Sequence, residues 1–558
     1  MSLPERYRLR IGPCLVDRKR TTIAGMDLEL ATNLITRVNV GDSLTRTAGR
    51  MPAQLALVDG ERRWTYAELN DWTNRVANSL HTRGYRHGDA LALASGNSGE
   101  FLAVYYACAK LGLVCVPLNL GWRADEIAYV LDHSGARGIV IEAQLLPAVL
   151  PAVEKVPAIG DIVVAPGTGG NADASLPDRS WLNFADLEAG DAAEPEVFVD
   201  DRDAISYLYT SGTTSFPKGV IGSHTAIYLE SLTVVAETGL SKDDRIAALM
   251  PLFHTAQLNG FCTPAVLIGA TVFLQRGFDP GALLDLLERE QITMMFALPI
   301  MFRALVEHPS IGSRDLSALR RAAYAMAPMP DPLLRRCLDT FACDFYLAFG
   351  QTEMSPVTTF FRPEHQLSHS GAVGTQIVNV QVGIMTPEGT LLPRGEEGEI
   401  VYRSPQALNG YLKDPDATAE AFEYGWFHSG DSGTLAEDGM LWFTDRYKDV
   451  IKTGGENVAS IEVEKALYAL DPRIAEVAVV GLPHPRWSEA ITAVVVTTPD
   501  ASLDGDELIA ALRDHLAGFK APKAVIIVDE LPKTSTGKIQ KNVVRQQFAD
   551  YYADYRSE

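Results

Sequence analysis

The chain has 558 residues, more than a single hydrophobic core organises, so two or more domains are expected. Hydrophobic residues make up 47% and charged residues 22%, and the net charge of -22 argues against nucleic acid or an anionic membrane surface as partner while leaving room for a local basic pocket. Six scattered cysteines without a CxxC pair suit free thiols in a reducing compartment, and the charged N-terminus MSLPERYRLR has no apolar run behind it to make a signal peptide, so a cytoplasmic location is expected.

In chain order, "DALALAS" (89–95) reads as a strand and "EFLAVYYACAKLG" (100–112) has helical apolar spacing. "VCVPL" (114–118) and "GIVIEA" (138–143) are short buried strands. This alternation predicts parallel sheets with crossover helices. Residues 151–188, rich in Gly, Pro, Ala and Asp, are expected to be a surface excursion. Residues 205–208 then read as a strand running into "YTSGTTSFPKGV" (209–220), a loop dense in hydroxyls and backbone N–H groups. Such a loop is a nest for an anion. Gly212 permits close backbone approach and Lys218 adds a mobile charge suited to phosphate. A Walker A loop is excluded, because Lys218 is followed by Gly219 rather than Ser or Thr. Residues 246–275 carry no Asp, Glu, Lys or Arg, a run long enough for a membrane span. Pro251, His254, Gln257, Asn259, Gly260, Pro264 and Gly269 within it point instead to buried elements around an internal pocket.

"FYLAFGQTEMSP" (345–356) is an apolar strand entering a polar turn, where Phe349 could stack on a flat base and Glu353 could hold Mg2+ together with phosphate oxygens. His365 and His369 lie four apart, but Pro363 indicates a loop and no metal pair is expected. "GEIVYRS" (398–404) and "GMLWFTDR" (439–446) read as strands. Asp431, in a glycine-flanked turn after an aromatic strand, could accept both hydroxyls of a ribose. A break follows near 445–455, at "DRYKDVIKTGGENV" (445–458). "SIEVEKALYAL" (460–470) is a helix with Ser460 as N-cap, and "AEVAVVGL", "AITAVVVTT" and "AVIIVDEL" are strands of a small second domain. Lys538 lies in a short polar loop, "LPKTSTGKIQK" (531–541).

Taken together, in this order and at these distances, the four polar clusters resemble the adenylate-forming superfamily, in the branch of fatty-acyl- and aryl-CoA synthetases. The resemblance runs from "WTYAELNDWTNRVANSL" (64–80) to "TGKIQKN" (536–542), with "PLFH" (251–254), "GWFHSGD" (425–431) and "GGENV" (454–458) between. It implies an α/β fold: a large N-terminal domain (1–447) of two doubly wound subdomains plus a distorted β-barrel, and a small mobile α+β C-terminal domain (448–558) hinged at Lys448. It implies an acid:CoA ligase using ATP, Mg2+ and coenzyme A, with a small carboxylic acid as the remaining partner, no membrane span and a possible homodimer. By the same match, Thr210, Ser211, Gly212, Thr213, Thr214 and Lys218 embrace the β- and γ-phosphates. Phe349 flanks adenine with Ala327, Gly350 and Gln351 alongside, Thr352 touches the α-phosphate, Glu353 binds Mg2+, and Asp431 with Arg446 holds the ribose. Lys538 reaches the α-phosphate and the acid's carboxylate. After a rotation of the small domain, Lys452, Gly454, Gly455 and Asn457 serve the thioester step. His254 stands beside the acyl carbonyl, with Tyr324, Ala325 and Met326 in the pocket wall.

Three positions depart from the family pattern. Ser215, Met326 and Ser488 stand where the family commonly has glycine. Two of them lie near ATP, so one alternative is a protein that acts mainly on preformed acyl-AMP, and another is transfer to a carrier protein instead of CoA. A catalytically dead nucleotide-binding regulator is disfavoured by the joint presence of Lys218, Glu353, Asp431 and Lys538. The apolar, uncharged segments 258–269 and 294–302 favour a hydrophobic acid.

Overall fold

The structure is a computed structural model that describes residues 22–23, 26–166, 181–210, 217–326, 329–446, 449–454, 456–499, 501–513, 515–534 and 539–553. Three large sheets organise it, beside a two-stranded pair of Thr22–Ile23 with Met26–Asp27. The first has seven strands, with Ala90–Ala94 flanked by the parallel strands Val114–Pro117 and Ala136–Glu142. Each of these strands is an almost unbroken apolar run because helices cover both faces, as parallel sheets require. The helix Gly99–Leu111 is buried along its whole length, capped by Ser98 at one end and by left-handed Gly112 at the other. A side chain at Gly112 would strike His87 as well as strain the turn.

The second sheet has thirteen strands, of which Leu55–Asp59, Thr271–Leu274, Arg245–Ala248, Met294–Ala297, Arg321–Tyr324 and Asp344–Gly350 run parallel. The antiparallel strands expected in a barrel, Val357–Phe361, Gly374–Gln376, Met440–Arg446, Phe427–Leu435, Glu397–Arg403 and Gln381–Met385, are hydrogen-bonded on as its continuation. Asn97 ties the first sheet to the second. Its amide donates to the carbonyls of Ala248, Met250 and Gln275, and its oxygen accepts from Leu252 N at 2.9 Å.

The third sheet has five strands and is built on the long pair Ile474–His484 and Ser488–Thr497. Alternate residues fill two separate cores: Val477, Val479, Ile491 and Val495 on one face, Ala478, Val480, Ala490 and Val494 on the other. That two-sided burial is why "AEVAVVGL" shows no polar alternation. A large N-terminal domain and a C-terminal domain are thus present.

Local differences from the expectations have simple causes. The 151–188 excursion contains the strands Asp161–Ala165 and Leu182–Asn183, which complete the first sheet, and ends in the helix Phe184–Glu188. Its Ala and Asp content masked a short edge. Ser460 is the first residue of its helix and Ala459 the cap, because the Ser460 hydroxyl and N–H both donate to Asp445 Oδ2, at 2.5 and 2.6 Å. Asp431 lies within the strand Phe427–Leu435, not in a turn, with left-handed Gly430 just before it. Lys218 opens the return strand Lys218–Ser223 instead of sitting in the loop. Among the described residues no helix is long and apolar enough to cross a membrane.

Candidate active site

The two strands Ala204–Thr210 and Lys218–Ser223 form an antiparallel hairpin that sets Thr210 opposite Lys218 at its mouth. Gly219 is required by close approach: a Cβ there would lie 3.1 Å from the Tyr209 ring and 3.2 Å from Leu412. The Lys218 ammonium sits 5.1 Å above the ring of Tyr411, a cation–π contact that holds a positive charge at the hairpin mouth.

Beside the hairpin is the turn 351–357, which follows the strand Asp344–Gly350. Gly350 cannot be replaced without a collision, since a Cβ would lie 2.0 Å from the Pro356 carbonyl oxygen. Gln351 N donates to Pro356 O at 2.9 Å and Leu408 N to Glu353 O at 2.8 Å. Glu353 Oε1 accepts from the Tyr411 hydroxyl at 3.1 Å. Burial pushes the Glu353 carboxyl above the usual carboxylate range, while its hydrogen bonds and the charges of Arg446 and Lys218 pull the other way. Three of the expected nucleotide residues therefore share one electrostatic neighbourhood. Tyr411 is held in its protonated form, by burial first and then by the Glu353 charge.

Asp431 and Arg446 are cross-strand partners, with Arg446 Nε 3.4 Å from Asp431 Oδ1. Asp431 N donates to Ser429 Oγ at 3.0 Å, fixing the strand as it leaves Gly430. Phe349 packs against Phe443 with the rings tilted by 47° and their centres 5.4 Å apart. The Gln351 amide nitrogen is buried without a partner among the described residues, a donor left over for a ligand.

His254 caps the short helix Thr255–Gln257, its Nδ1 accepting from Ala256 N at 3.2 Å. That bond assigns the neutral ring's proton to Nε2. The chain continues as a π-helical turn, Leu258–Cys262, a rare geometry that clusters at functional sites. Within it Phe261 stacks on Phe296 with ring centres 4.8 Å apart, and Asn259 Oδ1 accepts from Tyr105 at 3.2 Å. In the expected pocket wall, the Tyr324 hydroxyl is committed to Gln366 at 2.8 Å and Ala325 is buried. Met326 is half-buried and carries a φ of 71°, the left-handed region that favours glycine.

Lys452 and Gly454 lie on the hairpin formed by Ile451–Thr453 and Glu456–Val458, where Lys452 pairs with Asn457. Lys452 N donates to Glu489 at 2.6 Å and Gly454 N to Trp487 O at 2.9 Å. Ser211, Gly212, Thr213, Thr214, Ala327, Lys448, Gly455 and Lys538, with the side chain of Asn457, lie outside the described residues.

The segment 406–412 escaped the sequence reading. It pairs with the return strand through Ile221 N to Gly410 O, Asn409 N to Ile221 O and Leu412 N to Gly219 O, and it delivers Tyr411 to Glu353. Its only sequence signal is the Gly-Tyr step in "NGYLKD", remote from every motif it serves.

The arrangement is a hairpin with a lysine at its mouth, a single buried carboxylate and a cross-strand Asp–Arg pair. One carboxylate beside hydroxyls fits Mg2+ carried on nucleotide phosphates, which needs only one or two protein carboxylates. Among the described residues no group of three or more His, Cys, Asp or Glu side chains gathers as a metal cage, at His365 and His369 included.

Family models agree with this geometry. Residues 44–412 match the AMP-binding enzyme model and residues 462–538 the AMP-binding enzyme C-terminal domain. A feruloyl-CoA synthase from Amycolatopsis sp is 37% identical over 509 residues, 91% of this chain and 99% of the relative. An indoleacetate–CoA ligase from Aromatoleum aromaticum is 33% identical over 92% of this chain and 98% of its own length. The crystal structure of ATP-bound MatB from Rhodopseudomonas palustris superposes with a TM-score of 0.84 at 30% identity, covering 93% of this chain and all of that one. The chain belongs to the AMP-binding enzyme family of the adenylate-forming superfamily and is an ATP-dependent, AMP-forming carboxylic acid–CoA ligase.

Proposed function

We propose that this ligase activates a compact hydrophobic acid, with an aromatic acid favoured over a long aliphatic chain. The observation that carries the reading is Met326. The position expected in the pocket wall carries a side chain where the backbone conformation suits glycine, and a side chain there would shorten the space left for an acyl tail. The neighbouring segments Leu258–Cys262 and Met294–Ala297 are buried and uncharged, with Phe261 and Phe296 stacked between them. The aryl acids in the names of two relatives support the same class.

In this reading the acid's carboxylate attacks the α-phosphorus of ATP, and pyrophosphate leaves. The thiolate of CoA then attacks the acyl carbonyl, AMP leaves, and a thioester results. Thr210, Lys218 and the loop between them hold the departing pyrophosphate. Thr352 and Arg446 face the nucleotide, Asp431 takes the ribose hydroxyls, and Gln351 offers its unpaired N–H to the same ligand. Glu353 would hold Mg2+, whose chemistry is to neutralise phosphate charge. His254 would stand beside the acid's carbonyl. Lys538 bridges acid and α-phosphate in the first step. Lys452, Gly454, Gly455 and Asn457 line the thiol's approach in the second, after rotation about Lys448, with the C-terminal domain starting there. The gap between the two matched models, 413–461, is consistent with that joint. The free buried cysteines support a cytoplasmic setting; whether two copies associate is measured by sedimentation.

A panel of hydroxycinnamates, indole and phenyl acids, dicarboxylates and aliphatic acids of rising length, assayed for acyl-CoA and AMP, tests the substrate class. Aromatic acids should exceed long-chain acids in kcat/KM by about tenfold or more. A preference for a long-chain or dicarboxylic acid would overturn the reading.

A further inference from the structure

Glu230 is a carboxylate placed where none belongs. It lies in the helix His224–Thr238, fully buried, inside the otherwise uncharged stretch "AIYLESLTVV". Its Oε1 accepts from Val357 N at 3.3 Å. Its Oε2 has no conventional partner among the described residues, and no Lys, Arg or His is paired with it. The side chain that faces it is Gln406, also fully buried. The Gln406 amide group is oriented without ambiguity: its Nε2 spends both hydrogens on the carbonyls of Met354 and Val357, at 2.8 and 2.6 Å. Its Oε1 is left as a second orphan acceptor. Glu230 Oε2 and Gln406 Oε1 are thus two buried acceptors on side chains that interact, and both stay unsatisfied unless a proton is shared between them.

We propose that Glu230 and Gln406 form a neutral carboxylic acid–amide pair, Oε2–H of Glu230 donating to Oε1 of Gln406, which positions the 351–357 turn for MgATP. Burial raises the Glu230 carboxyl well above its ordinary range, against the lowering effect of its hydrogen bonds with Val357 N and the Gln406 side chain. The pair grips the turn at three points, Val357 N, Val357 O and Met354 O. Ser355 adds a fourth by donating to the Gln406 carbonyl at 3.0 Å. Thr352 and Glu353 precede these points directly. Glu230 itself stands on the helix that leaves the phosphate hairpin. The pair therefore fixes the two nucleotide-facing segments relative to each other. The inference rests on the roles given above to Thr352 and Glu353; Glu230 touches neither and acts as a positioning residue.

Three variants and one spectrum test it. Glu230→Gln keeps an acceptor for Val357 N and supplies a donor to Gln406, so KM for MgATP should stay within about twofold of the parent. Glu230→Asp withdraws the carboxyl by one methylene, and Gln406→Glu sets oxygen against the two carbonyls. Each should raise KM for MgATP about 10- to 100-fold, the usual loss when a partner that orients a ligating group is removed, with KM for the acid and for CoA little changed. Infrared difference spectra of the parent against Glu230→Gln should show a protonated carboxyl stretch that persists at alkaline pH. The proposal fails if that band is absent, if Glu230→Gln is as damaged as Glu230→Asp, or if all three KM values move together. The spectrum and the order of the Glu230 variants decide the pair even if Glu230→Asp does not fold. A Glu353→Gln variant with intact Mg2+ dependence would instead overturn the roles assigned to the turn, leaving the proton on Glu230 to be judged separately.

Discussion

The 351–357 turn and the hairpin holding Lys452 and Gly454 are assigned to the two halves of one reaction, yet they are built in opposite ways. The turn is locked from several sides, through Gln351 N to Pro356 O, Leu408 N to Glu353 O and the Gln406 amide to two more carbonyls. The hairpin lies at the edge of the five-stranded sheet, with Lys452 exposed and its backbone anchored to Glu489 and Trp487 of that same sheet. A fixed charge site suits a turn whose backbone is bonded at many points, since electrostatic stabilisation depends on donors and charges that need no reorganisation. A hairpin anchored to Glu489 and Trp487 of its own domain can travel with that domain and arrive when the thiol does. If this contrast is right, lesions in the two regions separate into different half-reactions.

The largest effects should come from Lys538→Ala and Glu353→Gln. On the proposed roles, the first removes the cation that bridges acid and α-phosphate and the second weakens the hold on Mg2+, and the expected loss in acid-dependent ATP–pyrophosphate exchange is about 100- to 1,000-fold. Thioester formation from supplied acyl-AMP and CoA should be far less affected by Lys538→Ala. Equal losses in both half-reactions would remove the division of labour. Robust exchange in the parent would also dismiss the alternative of a protein confined to preformed acyl-AMP.

Gly454→Val should give the converse pattern. Gly454 has a φ of 59°, and a Cβ there would stand 3.1 Å from the Trp487 ring. A branched side chain strains the turn and crowds the thiol's approach. Thioester formation should fall about 100-fold, the scale of a misplaced approach, with exchange intact. A drop in exchange of the same size would show that the hairpin serves both steps.

The buried pair beneath the turn gives a smaller signal, seen in stability. Glu230 is held above its ordinary range by burial, so the folded chain keeps a proton that the unfolded chain releases. The stability attached to that proton is complete below the unfolded value, the ordinary Glu range, and is lost as pH rises toward the raised folded value. The slope is at most about 1.4 kcal/mol per pH unit in that window. Glu230→Gln should flatten the fall of the N-terminal domain's melting temperature across this window. Identical pH profiles for parent and variant would mean that Glu230 is ionised in the fold.

Much of this was readable beforehand, and the exceptions share a cause. Strands such as Ala90–Ala94 and Asp344–Gly350 announce themselves because a buried parallel strand is a local apolar run between breakers. The helix Gly99–Leu111 carries its own cap and stop. The nucleotide residues stood out because loops with Gly, Thr and a charge after such strands are dense local signals. Tyr411, Gln406 and Glu230 were missed because their meaning is pairwise. A tyrosine between Gly410 and Leu412, or a glutamate in an apolar helix, acquires a role only from a partner more than fifty residues away. Asp161–Ala165 was hidden for a related reason: a strand near the sheet edge, flanked by Gly and Pro, has the composition of a loop.

The mildest test compares the two domains directly, through the two described positions where a side chain replaces the family's usual glycine. Met326 and Ser488 have φ values of 71° and 68°. For an L-residue this region costs about 1–2 kcal/mol, offset in a glycine variant by the additional backbone entropy lost on folding, about 0.5–1 kcal/mol. Ser488 is exposed at the start of the strand Ser488–Thr497, opposite Thr453 of the hairpin. Ser488→Gly should therefore raise the C-terminal domain's melting temperature by only about 1–3 °C, with no change in acid preference. Met326→Gly relieves the same strain but, on the proposed reading, removes a side chain from the acyl wall, so its signature should be a gain in kcat/KM for longer acids. If Met326→Gly changed only stability, Met326 would not line the acid pocket, and the preference for compact acids would need another source. If Ser488→Gly changed acid preference instead, the C-terminal sheet would be reporting on the first half-reaction, and the contrast between a fixed turn and a delivered hairpin would not hold.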